Sequence, residues 1–514
     1  MDAHPCPDCG AAARDVPGWC RSCGRHDRVA AVDLLTWLVP GAVEIIEPTP
    51  TPDPLGWDGY DDALEQARER SSESEAVVVV RGQVGGDGSQ AVFVAWEFDF
   101  LGGSIGTVAG ESIARAYEAA ADAGLPIVLL PSTGGARMQE GMASLVQMAT
   151  TSVAAARHAE DGLLQVAVLR DPTTGGVFAS HANQAHVVLA EPGATIGFAG
   201  PRVAEAMTGG ALPEGSHTAE GALAAGLVDA VVARGDLRAT LDQLLGWATT
   251  SATPEPVEAP VADRLGPADA WTEVQRARDP RRPRAAAFLG ELEVAFELRG
   301  DRAGTDDPAV RVVLADLAGR RIVLVALDRA GNDGSVTAAG YRKAWRGFGL
   351  ASQLGVPLVT LVDTPGADAS GPAEAGGIAH HMSWTFRRLL DVGTPTVALV
   401  IGEGGSGGAL ALAVCDRLLI QEHAIFSVIA PEGAAAILHR DRSRAPEVAA
   451  QLQPTAQKLA QLGIADEVVP EPVGAEVPAA WAAVARHLDE LAQHTRHHRL
   501  EARRERWRRG WSQP

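Results

Sequence analysis

Four short stretches place glycine where chemistry on a developing oxygen anion would want it: Pro131-Ser-Thr-Gly-Gly-Ala-Arg137, Asp171-Pro-Thr-Thr-Gly-Gly-Val177, Asp363-Thr-Pro-Gly-Ala367 and Glu403-Gly-Gly-Ser-Gly-Gly-Ala409. A short apolar strand such as Ile127–Leu130 that runs into a glycine-rich turn leaves backbone N–H groups unshielded by side chains. Gly175-Gly176 and Gly407-Gly408 each precede an alanine-rich run with helical character, which would set their amides at a helix N-terminus, where the dipole favours negative charge. Two amides converging on one oxygen make an oxyanion hole. Such a hole stabilises an enolate, and losing one donor costs roughly 10² to 10³ in rate.

A single Gly-Gly pair is ordinarily only a tight turn. Here the pairs share a ruler: Gly134 to Gly175 and Gly366 to Gly407 are each 41 positions apart. Leu125-Pro-Ile-Val128 recurs as Val356-Pro-Leu-Val359, and Gly103-Ser104 as Gly334-Ser335, each displaced by 231 positions. A repeat of this length means two related domains, each with its own hole.

The elements that must position those holes follow from periodicity. Strands are predicted at 76–80, 91–96 and 127–130 with a helix over 113–123, and again at 311–314, 322–326, 358–362 and 397–401 with a helix over 341–354. Strands, glycine turns and helices in this order predict an α/β fold with helices outside the sheets. The 514 residues are too many for one core, and 46% hydrophobic residues with 56 glycines and only 5% aromatics suit such a fold. An Ala/Pro/Val/Glu stretch predicts a linker at 251–268. The expected organisation is a metal-binding segment at 1–28, a first domain at 29–250, the linker, a second domain at 269–490 and a basic tail at 491–514.

The chain carries no apolar run of 18 residues and no basic-plus-apolar leader, so neither a membrane span nor a signal peptide is expected and the compartment expected is the cytoplasm. A formal charge of −21 argues against sequence-independent DNA binding, which depends on Lys and Arg neutralising phosphates. At the N-terminus, Cys6-Pro-Asp-Cys9 and Cys20-Arg-Ser-Cys23 form two C-x2-C pairs, each followed by glycine (Gly10, Gly24), and four thiolates so spaced predict a closed structural Zn²⁺ site. Cys415 reads as a core residue.

Taken in order, these motifs resemble the bacterial acetyl-CoA carboxylase carboxyltransferase family, with β-type and α-type subunits joined in one chain. The β-type features are the ribbon ending Cys23-Gly-Arg-His26, Phe98-Asp-Phe-Leu-Gly-Gly-Ser-Ile-Gly106, Gly134-Gly-Ala-Arg-Met-Gln-Glu-Gly141, Asp171–Gly176 and Ile196-Gly-Phe-Ala-Gly-Pro-Arg202. The α-type features include Gly300-Asp-Arg302, Gly340-Tyr-Arg-Lys-Ala344, Asp363–Ala367, Ile401–Gly408 and Ser427-Val-Ile-Ala-Pro-Glu-Gly433. The resemblance implies two tandem crotonase-like domains behind an N-terminal zinc ribbon, an acyl-CoA side at 29–250 and a biotin side at 269–490. It implies that the hole around Gly134, Gly135, Gly175 and Gly176 holds the thioester oxygen of acetyl-CoA or another short acyl-CoA. The hole around Gly366, Gly407 and Gly408 would hold the ureido oxygen of carboxybiotin, brought on a biotin carboxyl carrier protein that a biotin carboxylase loads. Freed biotin would be the base, leaving His181, His186, His380 and His381 to packing. Arg137, Arg202, Arg342 and Lys343 are candidates for CoA phosphates, with structural ion pairs the competing role. Face-to-face pairing of such domains implies at least a homodimer.

Two departures from the family pattern, Ala375-Gly376-Gly377 and Ser216-His217-Thr218, leave the glycines intact and the acyl substrate open. A biotin-independent malonyl-thioester decarboxylase on the same fold would use one hole only. A regulator that binds nucleic acid through the ribbon, with Arg14, Arg21, Arg25 and Arg28, would use neither.

Overall fold

The computed structural model describes residues 5–11, 15–250, 253–258 and 269–509. The predicted linker at 251–268 falls largely outside them, as do the last residues of the predicted tail. The chain divides into two units, Met1–Thr250 and Ser251–Pro514.

The N-terminal unit is built on a seven-stranded sheet ordered Val43–Glu44, Val77–Gln83, Gln90–Trp96, Ile127–Leu130, Gln165–Leu169, Val187–Ala190, Ala230–Val231. The first two joins are antiparallel and the rest parallel. The C-terminal unit repeats the plan: Glu293–Leu298, Val310–Leu317, Arg320–Leu327, Leu358–Thr364, Thr396–Gly405, Arg417–Gln421 and Glu467–Val469, with Ile425–Ser427 against the far end of Thr396–Gly405. Parallel strands covered on both faces are continuous apolar runs, and Ile127-Val-Leu-Leu130 and Val187-Val-Leu-Ala190 are buried throughout.

The repeat extends to register. Val92 pairs with Ile127 and Ile127 with Gln165; 231 positions on, Val323 pairs with Leu358 and Leu358 with Thr396. The helices Thr107–Asp122 and Ala338–Gln353 pack on the two sheets. Both stop at a glycine with positive φ, Gly124 at 63° and Gly355 at 66°, the left-handed residue that ends a helix without a Cβ clash. In both units the strand before each glycine loop runs to the same end of the sheet, and there the site lies.

Candidate functional site

In the N-terminal unit the strand Ile127–Leu130 delivers Thr133-Gly134-Gly135-Ala136, and Gln165–Leu169 delivers Thr173-Thr174-Gly175-Gly176. Thr133 N donates to Pro172 O at 2.6 Å and Thr174 N to Thr133 O at 3.0 Å, which laces the two loops together. They then approach too closely for a side chain: a Cβ on Gly135 would lie 3.2 Å from Gly175 Cα and Gly176 N, and one on Gly175 would lie 2.9 Å from Gly135 Cα. Both glycines have positive φ, 113° and 68°.

Hydrogen bonds decide which amides remain for a ligand. Gly134 N donates to Gly102 O at 2.9 Å, Gly135 N to Thr133 Oγ1 at 2.9 Å, and Gly175 N to the carbonyls of Gly197 and Phe198. Three of the four glycine amides expected in the hole are therefore spent. Gly176 N and the neighbouring Ala136 N have no hydrogen-bond partner among the described residues. Ala136 was not among the expected site residues, because a search for glycine passes over it.

The C-terminal unit repeats the arrangement. Gly366 N donates to Thr364 Oγ1 at 3.0 Å, as Gly135 N does to Thr133. The next amide, Ala367 N, has no partner among the described residues, nor do Gly407 N and Gly408 N. Ala367 stands 231 positions after Ala136, and Gly407 the same distance after Gly176. Gly366 has φ 140°, and Ser406, the counterpart of Gly175, has φ 56°. A Cβ on Gly408 would lie 2.4 Å from Ala367 N, so the two limbs are in contact here too.

The expected helix N-termini are realised unequally. Gly407 and Gly408 lie inside the first turn of Ser406–Leu410, where the amides lack intrahelical acceptors. After Gly176 only a turn and the four-residue helix His181–Gln184 follow, so there the dipole contributes little. A methionine faces each loop: Cβ atoms on Gly176 and Gly407 would lie 3.0 Å from Met148 Sδ and 3.5 Å from Met382 Sδ.

The basic candidates divide. Arg137 is buried, with a side chain 0% exposed. It bonds both oxygens of Glu75, Glu140 at 3.2 Å, the Tyr60 hydroxyl at 3.3 Å and Ser104 O at 2.8 Å. Its guanidinium is spent inside the protein, where a phosphate cannot reach it, and it anchors the chain one residue beyond Ala136. Lys343 is likewise buried, with Nζ 2.6 Å from Asp306. Arg342 is part-exposed, paired with Asp301 and 3.0 Å from His381 Nε2. Arg202 is exposed at the start of Pro201–Thr208 and has no hydrogen-bond or ion-pair partner among the described residues.

Of the four histidines expected to pack, His181 and His186 are buried and His381 is half-buried, whereas His380 is exposed beside His381 and Trp384. His181 is buried and stacked on Trp96 with ring centroids 5.9 Å apart, and burial pulls its imidazole down to about 3. His186 Nδ1 accepts from Gln165 N at 3.1 Å, and His381 stacks on Trp345 at 5.5 Å.

The sulfurs of Cys6, Cys9, Cys20 and Cys23 all lie within 4.8 Å of one another. Cys6 Sγ to Cys23 Sγ and Cys9 Sγ to Cys20 Sγ are each 3.6 Å. That is far too long for a disulfide of about 2.05 Å and close to the edge of a tetrahedron with Zn–S of about 2.3 Å, roughly 3.8 Å. Each knuckle turns on its glycine, with Gly10 N bonded to Cys6 O and Gly24 N to Cys20 O, both at 2.8 Å. The donor set fits zinc. The ribbon is fastened to its unit by Arg234, whose N–H meets His26 Nε2 at 3.1 Å and whose guanidinium holds Glu191 and the carbonyls of Pro17 and Asp27.

Comparison with known proteins agrees with this architecture. The family described as "Carboxyl transferase domain" matches residues 53–278, and "Acetyl co-enzyme A carboxylase carboxyltransferase-like" matches 257–510. The chain is 45% identical, over 90% of its length and 87% of the other, to the acetyl-coenzyme A carboxylase carboxyl transferase subunits beta/alpha of Salinispora tropica. It is 38% identical to a probable biotin-dependent acyl-coenzyme A carboxylase beta3 subunit of Mycobacterium tuberculosis, over 88% and 92% of the two chains. Transcarboxylase 12S, solved as a hexamer with methylmalonyl-CoA and methylmalonic acid, superposes with a TM-score of 0.73 at 20% identity over 91% of this chain and 90% of its own, a likeness of fold. The chain belongs to the carboxyltransferase family of biotin-dependent acyl-CoA carboxylases, an α/β enzyme family with two crotonase-like units. No helix among the described residues is long and apolar enough to cross a membrane.

Proposed function

We propose that this chain transfers the carboxyl group of carboxybiotin, presented on a biotin carboxyl carrier protein, to the α-carbon of acetyl-CoA, giving malonyl-CoA. The observation that carries this reading is the repeated pair of unbonded amides, Ala136 with Gly176 and Ala367 with Gly407. The N-terminal pair receives the thioester oxygen and stabilises the enolate left when the α-proton departs; the C-terminal pair receives the ureido oxygen. Each donor so placed contributes roughly 10² to 10³ in rate. Carboxybiotin supplies the carboxyl group and, once that group is released, a ureido nitrogen as base. The protein's own part is to fix two carbonyl oxygens. Gly134, Gly135, Gly175 and Gly366 shape the holes, and Gly408 makes room for Ala367 N.

Acetyl-CoA is preferred as acceptor on the names of the most similar relatives cited. Arg202, exposed and unpaired, is the basic residue best placed for a CoA phosphate. Cys6, Cys9, Cys20 and Cys23 hold one structural zinc, measurable as one metal per chain. A biotin carboxylase completes the system. Exposed Met138, Met142, Phe198 and Met207 in one unit, and Val428, Ile437 and Leu438 in the other, support assembly into a homo-oligomer.

The test is the reverse reaction: malonyl-CoA with biocytin, following acetyl-CoA release beside a biocytin-free control and a Gly408→Pro variant. Biocytin-dependent release that collapses in the variant is expected, whereas equal release without biocytin contradicts the reading. Methylmalonyl-CoA in a parallel reaction sets the acyl preference.

A further inference from the structure

The corner between the helices Glu476–Ala492 and Arg496–Arg508 encloses a cavity of about 300 Å³ that includes none of the glycine-loop residues. Five arginines line it, with Asp416 the one carboxylate in the lining. Three of the five are neutralised: Arg503 grips Asp416 with Nε and Nη2 at 2.8 and 2.7 Å, Arg506 meets Asp466 at 2.6 Å and Arg509 meets Glu505 at 2.8 Å. Among the described residues Arg417 and Arg499 have no carboxylate partner. There Arg417 donates only to Asp416 O, at 3.2 Å. Arg499 reaches carbonyls, Gly393 O at 3.0 Å, Leu491 O at 3.4 Å and His494 O, and its buried Nε has no acceptor among the described residues.

Two guanidinium groups without a carboxylate, held in a concave site of a chain whose net charge is −21, are an unusual concentration of positive charge. Burial pulls Arg499 below the ordinary arginine range; the nearby Asp416 opposes that shift and Arg503 adds to it. His494 and His498, ring centroids 4.7 Å apart, also line it. A planar guanidinium fork matches the oxygens of a phosphoryl group, and the volume sits at the small end of ligand sites.

We propose that this cavity is a binding site for a small phosphate-bearing molecule, held by Arg417 and Arg499 and independent of both carbonyl sites. The phosphoryl group completes the electrostatics of Arg499 and ties Arg496–Arg508 to the start of the strand Arg417–Gln421.

The experiment is calorimetric titration of the full chain at constant ionic strength with inorganic pyrophosphate, alongside ribose 5-phosphate and citrate. Saturable binding of one phosphate compound per chain, at least tenfold weaker in Arg417→Gln with carboxyl transfer unchanged, is the expected result. The tighter of the two phosphate probes identifies the source as a free diphosphate or a phosphate ester. Arg417→Lys, which keeps the charge and loses the fork, also weakens binding and serves if the glutamine variant does not fold. Absence of saturable phosphate binding, citrate bound as tightly as pyrophosphate, or affinity undiminished in the Arg417 variants overturns the proposal.

Discussion

The two glycine loops agree in backbone and differ in what braces them. In both, a threonine hydroxyl two residues upstream captures the amide of the positive-φ glycine, Thr133 for Gly135 and Thr364 for Gly366, and the next amide is left without a partner. The braces are unlike. The N-terminal loop is held from behind, by Arg137 locked between Glu75 and Glu140. The C-terminal loop is held from in front: Asp363 bonds Arg284 at 2.5 Å and Glu403 N at 3.0 Å, while Glu403 receives Arg278 and Arg329 at 2.6 to 2.9 Å. The residues 231 positions before Asp363 and Glu403 are Ser132 and Pro172, which carry no charge. What the repeats share is the backbone device; its support was rebuilt separately in each half.

This comparison orders its own tests. The largest effect is expected where a side chain would fill the contact between limbs. Gly408→Ala places a methyl 2.4 Å from Ala367 N, and biocytin-dependent turnover should fall by about 10² to 10³, the worth of one donor. Gly135→Ala should do the same from the acyl-CoA side, lowering kcat with the KM for biocytin unchanged. A variant that raises both KM values alike breaks the division of labour.

Next in size is stability. Arg137→Ala strands two buried carboxylates and should destabilise the N-terminal unit by about 3–5 kcal/mol; Arg329→Ala, a quarter exposed and with Arg278 still on Glu403, should cost markedly less. Denaturant unfolding of the two variants checks the order, and equal losses would mean that the braces are equivalent.

Acid should separate the units as well. In the N-terminal unit burial holds His181 down to about 3 from 6.5. Below about pH 6.5 the unfolded chain therefore takes up a proton that the folded unit refuses, and stability drops by up to about 1.4 kcal/mol per pH unit. Melting curves of His181→Phe should lose that slope between about pH 6.5 and 4.5. In the C-terminal unit burial raises the Glu403 carboxyl, but Arg278 and then Arg329 outweigh it and leave it below its ordinary 4.5. Its contribution is present above that value and lost as pH falls through the lowered one, so Glu403→Gln should flatten only the more acidic limb.

The smallest effect concerns the threonines. Thr364→Val frees the Gly366 amide and should reduce kcat/KM about fivefold, with Thr364→Ser restoring it, since one uncharged hydrogen bond is worth about 1 kcal/mol.

The sequence carried the plan of the molecule because that plan is local or repeated. Apolar runs such as Ile127–Leu130 end where predicted, and the cysteine knuckles need only short spacings and a glycine. It pointed to the glycine loops but not to which of their amides are left unbonded. Whether an amide is free depends on acceptors brought from elsewhere, such as Gly102 O for Gly134 and Phe198 O for Gly175. Arg137 could not be read either, since its partner Glu75 lies 62 positions upstream. One signal was available: the 231-residue displacement that pairs the glycines also pairs Ala136 with Ala367.

The central claim is that two equivalent amide pairs serve two different carbonyl groups. A crystal structure of the full chain with malonyl-CoA and biocytin tests it most directly. The account predicts the thioester oxygen about 2.7–3.1 Å from Ala136 N and Gly176 N, and the ureido oxygen at like distances from Ala367 N and Gly407 N. Carbonyl oxygens seated on other donors, or both substrates held at one loop, would contradict it.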